Sequence, residues 1–387
     1  MIRVLKISTL TILLVLLTSL TTVWGQDDYS LLQMAVPSLN IAPDARGGGM
    51  GDLGVASLPD ISSQYWNAAK YPFMYSKGGV SLSYTPWLRK LVNDVALVNM
   101  SGYYKIGSND LQAIGASLRY FSLGEVGMWE NNGDIPYYTN PYEMAFDVSY
   151  SRKLSESYSM GVTLRYIRSD MGTDANEEKY AGTAFAADIS GYLERYVIMG
   201  NAEALWSFGF NLSNIGSKIS YDGGETNSYL PAKLTLGTGL LYPIDDYNQI
   251  GVYLDLSKYL VPYAPQKEDG ESEDDYQQRI DDYMSWSSFS GIFKSFSDSP
   301  YGLLNEIMVS AGAEYSYNQQ FFVRGGYFYE SASVGNRKYF SVGAGFRMSV
   351  FQLDAAYLIS TVQQNPLDQT LRFSLSFDMD GIKNLFR

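Results

Sequence analysis

Five glycines crowd residues 47–54, and three of them, Gly49, Gly51 and Gly54, spell G-x-G-x-x-G. In a dinucleotide-binding protein this spacing lets backbone amides at a helix N-terminus cradle a pyrophosphate, with a buried strand feeding the first glycine. Neither flank supplies that setting. Pro43 interrupts the stretch where the strand would run, and Pro59 falls where the helix would mature. The glycines Gly47, Gly48, Gly49, Gly51 and Gly54 are therefore expected in a coil whose backbone passes close to other backbone. A second candidate is the acidic run PQKEDGESEDDYQQRIDD, beginning at Pro265. Its carboxylates are suited to calcium, but they lack the D-x-[DN]-x-[DN]-G spacing of a calcium loop.

The remaining chemistry is narrowed by composition. The 387 residues include no Cys and no His. Thiol catalysis, His-based acid–base catalysis and the usual zinc and copper sites are removed together, as are the Ser–His and Asp–His pairs that an outer-membrane phospholipase or protease would need. No catalytic, cofactor-binding or metal-binding residues are assigned. A formal charge of −13 argues against nucleic acid, which requires a basic footprint. The abundance of Tyr (33), Phe (18) and Gly (36) suits an all-β protein with exposed aromatic surface.

Residues 1–25 read as a signal peptide. Arg3 and Lys6 precede the apolar run 10–20, and Val23 and Gly25 occupy the small-residue cleavage positions before Gln26. The run is too short to span a bilayer as a helix, and no Cys follows it to carry lipid. Beyond it the dominant pattern is alternation. Ile250, Val252, Leu254 and Leu256 share one face, opposite Gly251, Tyr253, Asp255 and Ser257. Phe340, Val342, Ala344, Phe346 and Met348 oppose Ser341, Gly343, Gly345 and Arg347. Fourteen strands of this kind are predicted, at 78–86, 96–107, 111–122, 144–154, 158–169, 183–194, 204–213, 232–243, 249–260, 305–317, 320–330, 339–349, 351–361 and 370–379.

A soluble sandwich alternates too, but here short links alternate with long ones, as in outer-membrane barrels with tight periplasmic turns and long outer loops. Charges on the polar faces, including Asp147, Arg165, Glu314, Arg347 and Asp354, suit a wet or plugged lumen and not lipid. The expected fold is all-β: a transmembrane barrel at 78–379, a plug formed by 26–77 and a periplasmic tail at 380–387. A lumen of that size is wider than its inward side chains can fill. Tyr65, Trp66 and Phe73 make 26–77 too apolar for a disordered tail.

The block ARGGGMGDLGVASLPDISSQYWNAAKYPF (45–73), followed by fourteen strands, resembles the long-chain fatty-acid transporter (FadL-like) superfamily. Within it the chain resembles the PorV family of the type IX secretion system. Related barrels often carry Asn-Pro-Ala where this chain has Asn67, Ala68 and Ala69. The resemblance implies a non-enzymatic barrel in outer-membrane lipid. It would bind the C-terminal signal domains of secreted cargo, associate with the giant translocon barrel and pass cargo to a surface sortase complex. The superfamily alone implies the alternative, a channel for hydrophobic small molecules.

The longest connection, 261–304, is placed outside the cell by strand parity. Tyr276, Ile280, Tyr283 and Met284 recur at helical spacing, followed by Trp286, Phe289, Ile292, Phe293 and Phe296. Such a stripe either packs on the barrel rim as a lid or forms a docking surface for a partner protein. Tyr276, Ile280, Trp286, Phe289, Phe293 and Phe296 are the candidate partner-binding residues.

Overall fold

The structure, a computed structural model, describes residues 32–380 except 90, 91, 93, 129–136, 174–178, 225, 269 and 363–366. The expected signal peptide, residues 26–31 and the tail from 381 lie outside the described residues. Fourteen strands form one closed barrel: β1 (Gly78–Pro86), β2 (Ala96–Ile106), β3 (Gln112–Ser122), β4 (Tyr142–Lys153), β5 (Tyr158–Thr173), β6 (Lys179–Met199), β7 (Ala202–Gly216), β8 (Lys233–Pro243), β9 (Asn248–Tyr259), β10 (Met308–Tyr317), β11 (Phe321–Tyr329), β12 (Lys338–Arg347), β13 (Phe351–Ser360) and β14 (Leu371–Asp378). Each pairs antiparallel with the next, and β14 returns to β1 in register from Gly79↔Asp378 to Tyr84↔Phe373. Closure leaves no strand edge, which is what permits a sheet to sit in lipid.

The pattern of burial is that of a membrane barrel. Leu254 on β9 is 39% exposed while its neighbour Asp255 is 3% exposed. On β3, Ile114, Leu118 and Tyr120 face outward, whereas Ala113, Ser117 and Arg119 are buried. Ser81, Ser101, Ser149, Ser190, Ser207, Ser310, Ser341 and Ser374 line the inside around the circumference. A soluble sandwich would have these faces exchanged.

The strands differ from the alternation reading chiefly at β5–β7. Strands predicted at 183–194 and 204–213 run instead over Lys179–Met199 and Ala202–Gly216. Register shifts at Asp170/Thr173 and Ala187/Ile189 break the period-two pattern there, so alternation cannot be followed to the strand ends. The strand predicted from 305 begins at Met308, because Leu303–Glu306 forms a 3-10 turn. The tight connections 107–111, 154–157, 200–201, 244–247, 318–320 and 348–350 share one end of the barrel, and the long ones share the other. At 318–319, Asn318 (φ 53°) and Gln319 (φ 52°) give the two left-handed residues of a tight hairpin turn.

The residues before β1 run from the long-loop end to the short-turn end as four short helical turns, Pro37–Asn40, Ala45–Gly48, Ser63–Trp66 and Ala68–Phe73. They meet every strand on its polar face. Ser38 N–H donates to Glu143 on β4 (3.0 Å), Asn67 Nδ2 donates to the Gly191 carbonyl on β6 (2.9 Å), and Ser207 Oγ on β7 donates to the Ala56 carbonyl (2.7 Å). Gly51 N–H donates to Ser341 Oγ on β12 (2.7 Å), and Ala45 N–H donates to Ser374 Oγ on β14 (2.8 Å). A segment in contact with the inner face of a closed barrel all the way round lies inside it.

The face assignment gives a direct test. Leu254→Arg places a charge on the lipid face and is expected to cost about 2–4 kcal/mol if the site lies near the bilayer midplane. Asp255→Asn keeps an acceptor inside and is expected to be mild. The fraction of barrel that migrates as the compact form before boiling should fall for the first and hold for the second; equal tolerance would reverse the face assignment.

Candidate functional site

Two regions concentrate the polar and aromatic groups: the lumen around the inner segment, and the loop between β9 and β10. In the lumen, three arginine-centred networks link strands to one another and to the inner segment. Arg46 on the inner segment meets Glu314 of β10 with two parallel bonds, Nε to Oε2 at 3.0 Å and Nη2 to Oε1 at 2.9 Å. Its Nη1 reaches Asp60 at 2.8 Å and the Leu58 carbonyl at 2.9 Å. Glu314 also takes Arg324 Nε of β11 at 2.6 Å, and Arg324 Nη1 continues to Asp354 of β13 at 2.7 Å. Across the barrel Arg165 of β5 lies between Asp147 (2.7 Å) and Asp188 (2.9 Å). Arg372 of β14 pairs with Asp52, whose other oxygen accepts from the Tyr339 hydroxyl at 2.6 Å. In a medium that excludes water such charges persist only when paired in this way.

The glycines sit where these contacts leave no space. A side chain at Gly47 or Gly54 would lie 2.6 or 2.3 Å from the Trp66 ring, and one at Gly48 would meet Arg372 at 2.3 Å. Gly49 lies against Gly343 of β12, where an added carbon would approach its Cα to 3.1 Å. Gly51 has φ +82°, with the Tyr327 backbone 2.8 Å from where its Cβ would be. The amides of the G-x-G-x-x-G stretch are already used: Gly47 N–H donates to Asp44 (2.7 Å), Gly51 N–H to Ser341, and Gly54 and Val55 N–H both to Asp255 Oδ2 (2.9 and 3.0 Å). With carboxylates as acceptors, no phosphate cradle exists here. Asn67, in the block that carries the family resemblance, ties the Val55 carbonyl to the Gly191 carbonyl through one amide group, at 2.9 Å each.

One cavity in the lumen has a volume of about 60 Å³, room for a few water molecules. Asp52, Arg165, Asn211, Lys233, Asp255 and Arg337 are among its lining residues.

The loop leaves β9 through an anchored base. Lys258 Nζ donates to the carbonyls of Ser295 (2.9 Å) and Tyr259 (3.1 Å) and pairs with Glu306, while Tyr263 N–H donates to Asp298 (2.8 Å). Burial raises the Asp298 carboxyl above its ordinary range despite that bond. Two helices follow. Ser272 caps Glu273–Ser285, whose first turn carries Glu273, Asp274 and Asp275 at the favourable end of the helix dipole. Ser287 caps Ser288–Lys294. Trp286, extended at ψ 134°, breaks the run, so the aromatic stripe does not continue along one helix face.

The six candidate residues are thereby divided. Tyr276 and Ile280 are half-buried on the first helix. Trp286 packs on Tyr283 (ring centroids 5.7 Å), which is buried against Tyr229 (5.7 Å). Phe289 and Phe293, 66% and 63% exposed, stack edge to face at 5.1 Å on the second helix, with Phe296 also exposed. Part of the acidic run is paired locally: Arg279 holds Glu271 (2.7 Å) and Glu268 (3.2 Å), and Lys267 holds Glu273. The hydrogen bond from Arg279 keeps the Glu271 carboxyl below the usual range. Among the described residues, no group of three or more carboxylates is placed to hold a metal ion.

Sequence reasoning missed Tyr229 and Arg46. Arg46 and Glu314 lie 268 positions apart, and no local spacing links them. A charge on the polar face of a predicted strand was the only signal, and it marked Glu314 without its partner.

The chain matches the family described as type IX secretion system protein PorV over residues 25–267. No curated protein sequence matches it. Among solved structures it is similar to a TodX deltaS2S3 mutant monoaromatic hydrocarbon channel, with TM-score 0.52 and 11% identity over 86% of this chain and 98% of that one. It is also similar to the P. putida toluene transporter TodX, with TM-score 0.50 and 8% identity over 87% and 98%. A Pseudomonas aeruginosa FadL homologue aligns at TM-score 0.45 and 13% identity over 90% and 99%. At these identities the first two establish a shared barrel fold.

The glycine contacts predict a releasable segment. Gly54→Val drives a side chain into Trp66, an overpacking expected to cost about 1–3 kcal/mol or more. In barrels that still migrate as the compact form, trypsin should then cut at Arg46 or Lys70, sites protected in the parent protein. Unchanged protection would mean that the segment tolerates bulk at this point.

Proposed function

The chain belongs to the PorV family of type IX secretion proteins, and from that premise we propose that it is a non-enzymatic carrier in the bacterial outer membrane. It binds the C-terminal signal domains of secreted cargo, receives them from the giant translocon barrel and delivers them to the surface sortase complex. The long-loop end faces the cell exterior and the short turns face the periplasm, the usual asymmetry of such barrels. The inner segment acts as a plug.

The observation that carries this reading is the contrast between the two ends of the site. The lumen is occupied by a segment bonded to the wall, and the cavity beside it is small and carries charged groups in its lining. The loop above presents Phe289 and Phe293 to water on a rigid, capped helix. Exposed paired aromatics are costly on a free surface and are the residue type that dominates protein interfaces. Recognition of a folded signal domain needs an outer surface of this kind and no open channel. A channel for hydrophobic small molecules would instead need a continuous apolar passage, and the charged groups of Asp52, Arg165, Lys233 and Asp255 interrupt the apolar part of this cavity's lining.

Changing Phe289 and Phe293 together to Ser tests the reading. Recovery of the translocon barrel and signal-bearing cargo from mild detergent is expected to fall by tenfold or more, with the compact gel form unaffected, since both rings lie outside the barrel wall. Unchanged partner recovery, with altered uptake of apolar solutes, would replace the carrier with a channel.

A further inference from the structure

The start of the inner segment lies at the long-loop mouth in an unusual setting. Residues 32–34 belong to no helix or strand, Ala35 lies in a bend, and Val36, at φ 52°, turns the chain into Pro37–Asn40. Leu32 and Met34 both pack where two apolar clusters meet. One is Tyr229, Val261 and Tyr283, with Trp286 against them; the other is Tyr259, Met308, Phe328, Tyr339 and Leu358 of the barrel wall. Gln33, between them, is exposed. The Ala35 N–H donates to the Tyr229 carbonyl at 2.9 Å.

Two apolar side chains one residue apart in neighbouring pockets, with a backbone bond at Ala35 just beyond them, follow the period-two pattern by which a peptide is recognised through alternate side chains. The pockets here are built without the peptide. Tyr259 ends β9, Met308 begins β10, Phe328 lies on β11, Tyr339 on β12 and Leu358 on β13, while Tyr283 comes down from the loop helix. Polar anchoring of the segment is concentrated further along. Ser38 is held at both its N–H, by Glu143, and its carbonyl, by Arg119, and Asp44, Arg46 and Asp52 follow. The first residues can therefore leave without unpairing a charge.

We propose that the groove beneath helix Glu273–Ser285 is a binding site for an apolar peptide, occupied in cis by Leu32–Ala35. A partner segment with apolar side chains two positions apart displaces these residues and takes over the bond to Tyr229. Only the source of that segment, a terminus of secreted cargo, rests on the carrier reading; the groove does not. Because Tyr283 and Trp286 cover the same residues, occupancy of the groove is transmitted to the helix bearing Phe289 and Phe293.

A fluorescent peptide LLQMAVP, copied from residues 31–37, probes the groove. It is expected to bind a Leu32→Ser/Met34→Ser variant saturably and at least tenfold more tightly than the parent protein, and a peptide with Ser at both apolar positions should not bind. Failure to bind a variant that still runs as the compact form, or equal binding of the Ser peptide, overturns the proposal. A second measurement leaves the packing intact. The chain has no cysteine, so Gln33→Cys carries a single fluorophore, and saturating LLQMAVP should raise its mobility as the native residues are displaced. No change in mobility would also overturn it. An isolated cargo signal domain competing for the peptide supports cargo as the source. Binding of the peptide without such competition keeps the groove and removes cargo from it.

Discussion

Arg46 reaches from the inner segment to Glu314 on the barrel wall, and the interior is organised around that pair. Glu314 is shared with Arg324, and Arg324 with Asp354, so one carboxylate joins the segment to three inner-wall strands, β10, β11 and, across β12, β13. Removing one member of a buried pair strands the other at a cost of roughly 3–5 kcal/mol. The arrangement therefore specifies position more than it adds stability. It also sets where the glycines must be. The backbone can approach the wall this closely because Gly48, Gly49 and Gly51 carry no side chain towards it, and Gly312, Gly326 and Gly343 of the wall leave room for the backbone of residues 49–51.

The same constraint separates the two ends of the protein. With the lumen occupied, apolar groups that cannot be buried inside accumulate either on the lipid face or above the rim. The loop resolves this partly by packing Tyr283 and Trp286 over Tyr229 and partly by leaving Phe289 and Phe293 in water.

Much of the fold was legible because a membrane barrel writes a simple code. Alternating residues such as Leu254 and Asp255 face different solvents, and the strand count follows from the turns. The code failed where backbone geometry departs from period two, at the shifts around Asp170 and Ala187. Within the site, the spacing of Tyr276, Ile280 and Tyr283 correctly indicated helix, but Ser287 starts a second one and turns Phe289 away from the packed face of the first. The pairing of Arg46 with Glu314, or of Ala35 with Tyr229, is fixed only by closure of the barrel. No one-dimensional pattern contains it.

The central claim is that buried ion pairs hold the inner segment in place and keep the barrel closed. Ion conductance across a planar bilayer, recorded for the parent protein and for Arg46→Ala, tests it most directly. The account predicts a silent parent and a variant that opens in resolved, fluctuating steps. A parent protein carrying steady porin-like current would contradict it.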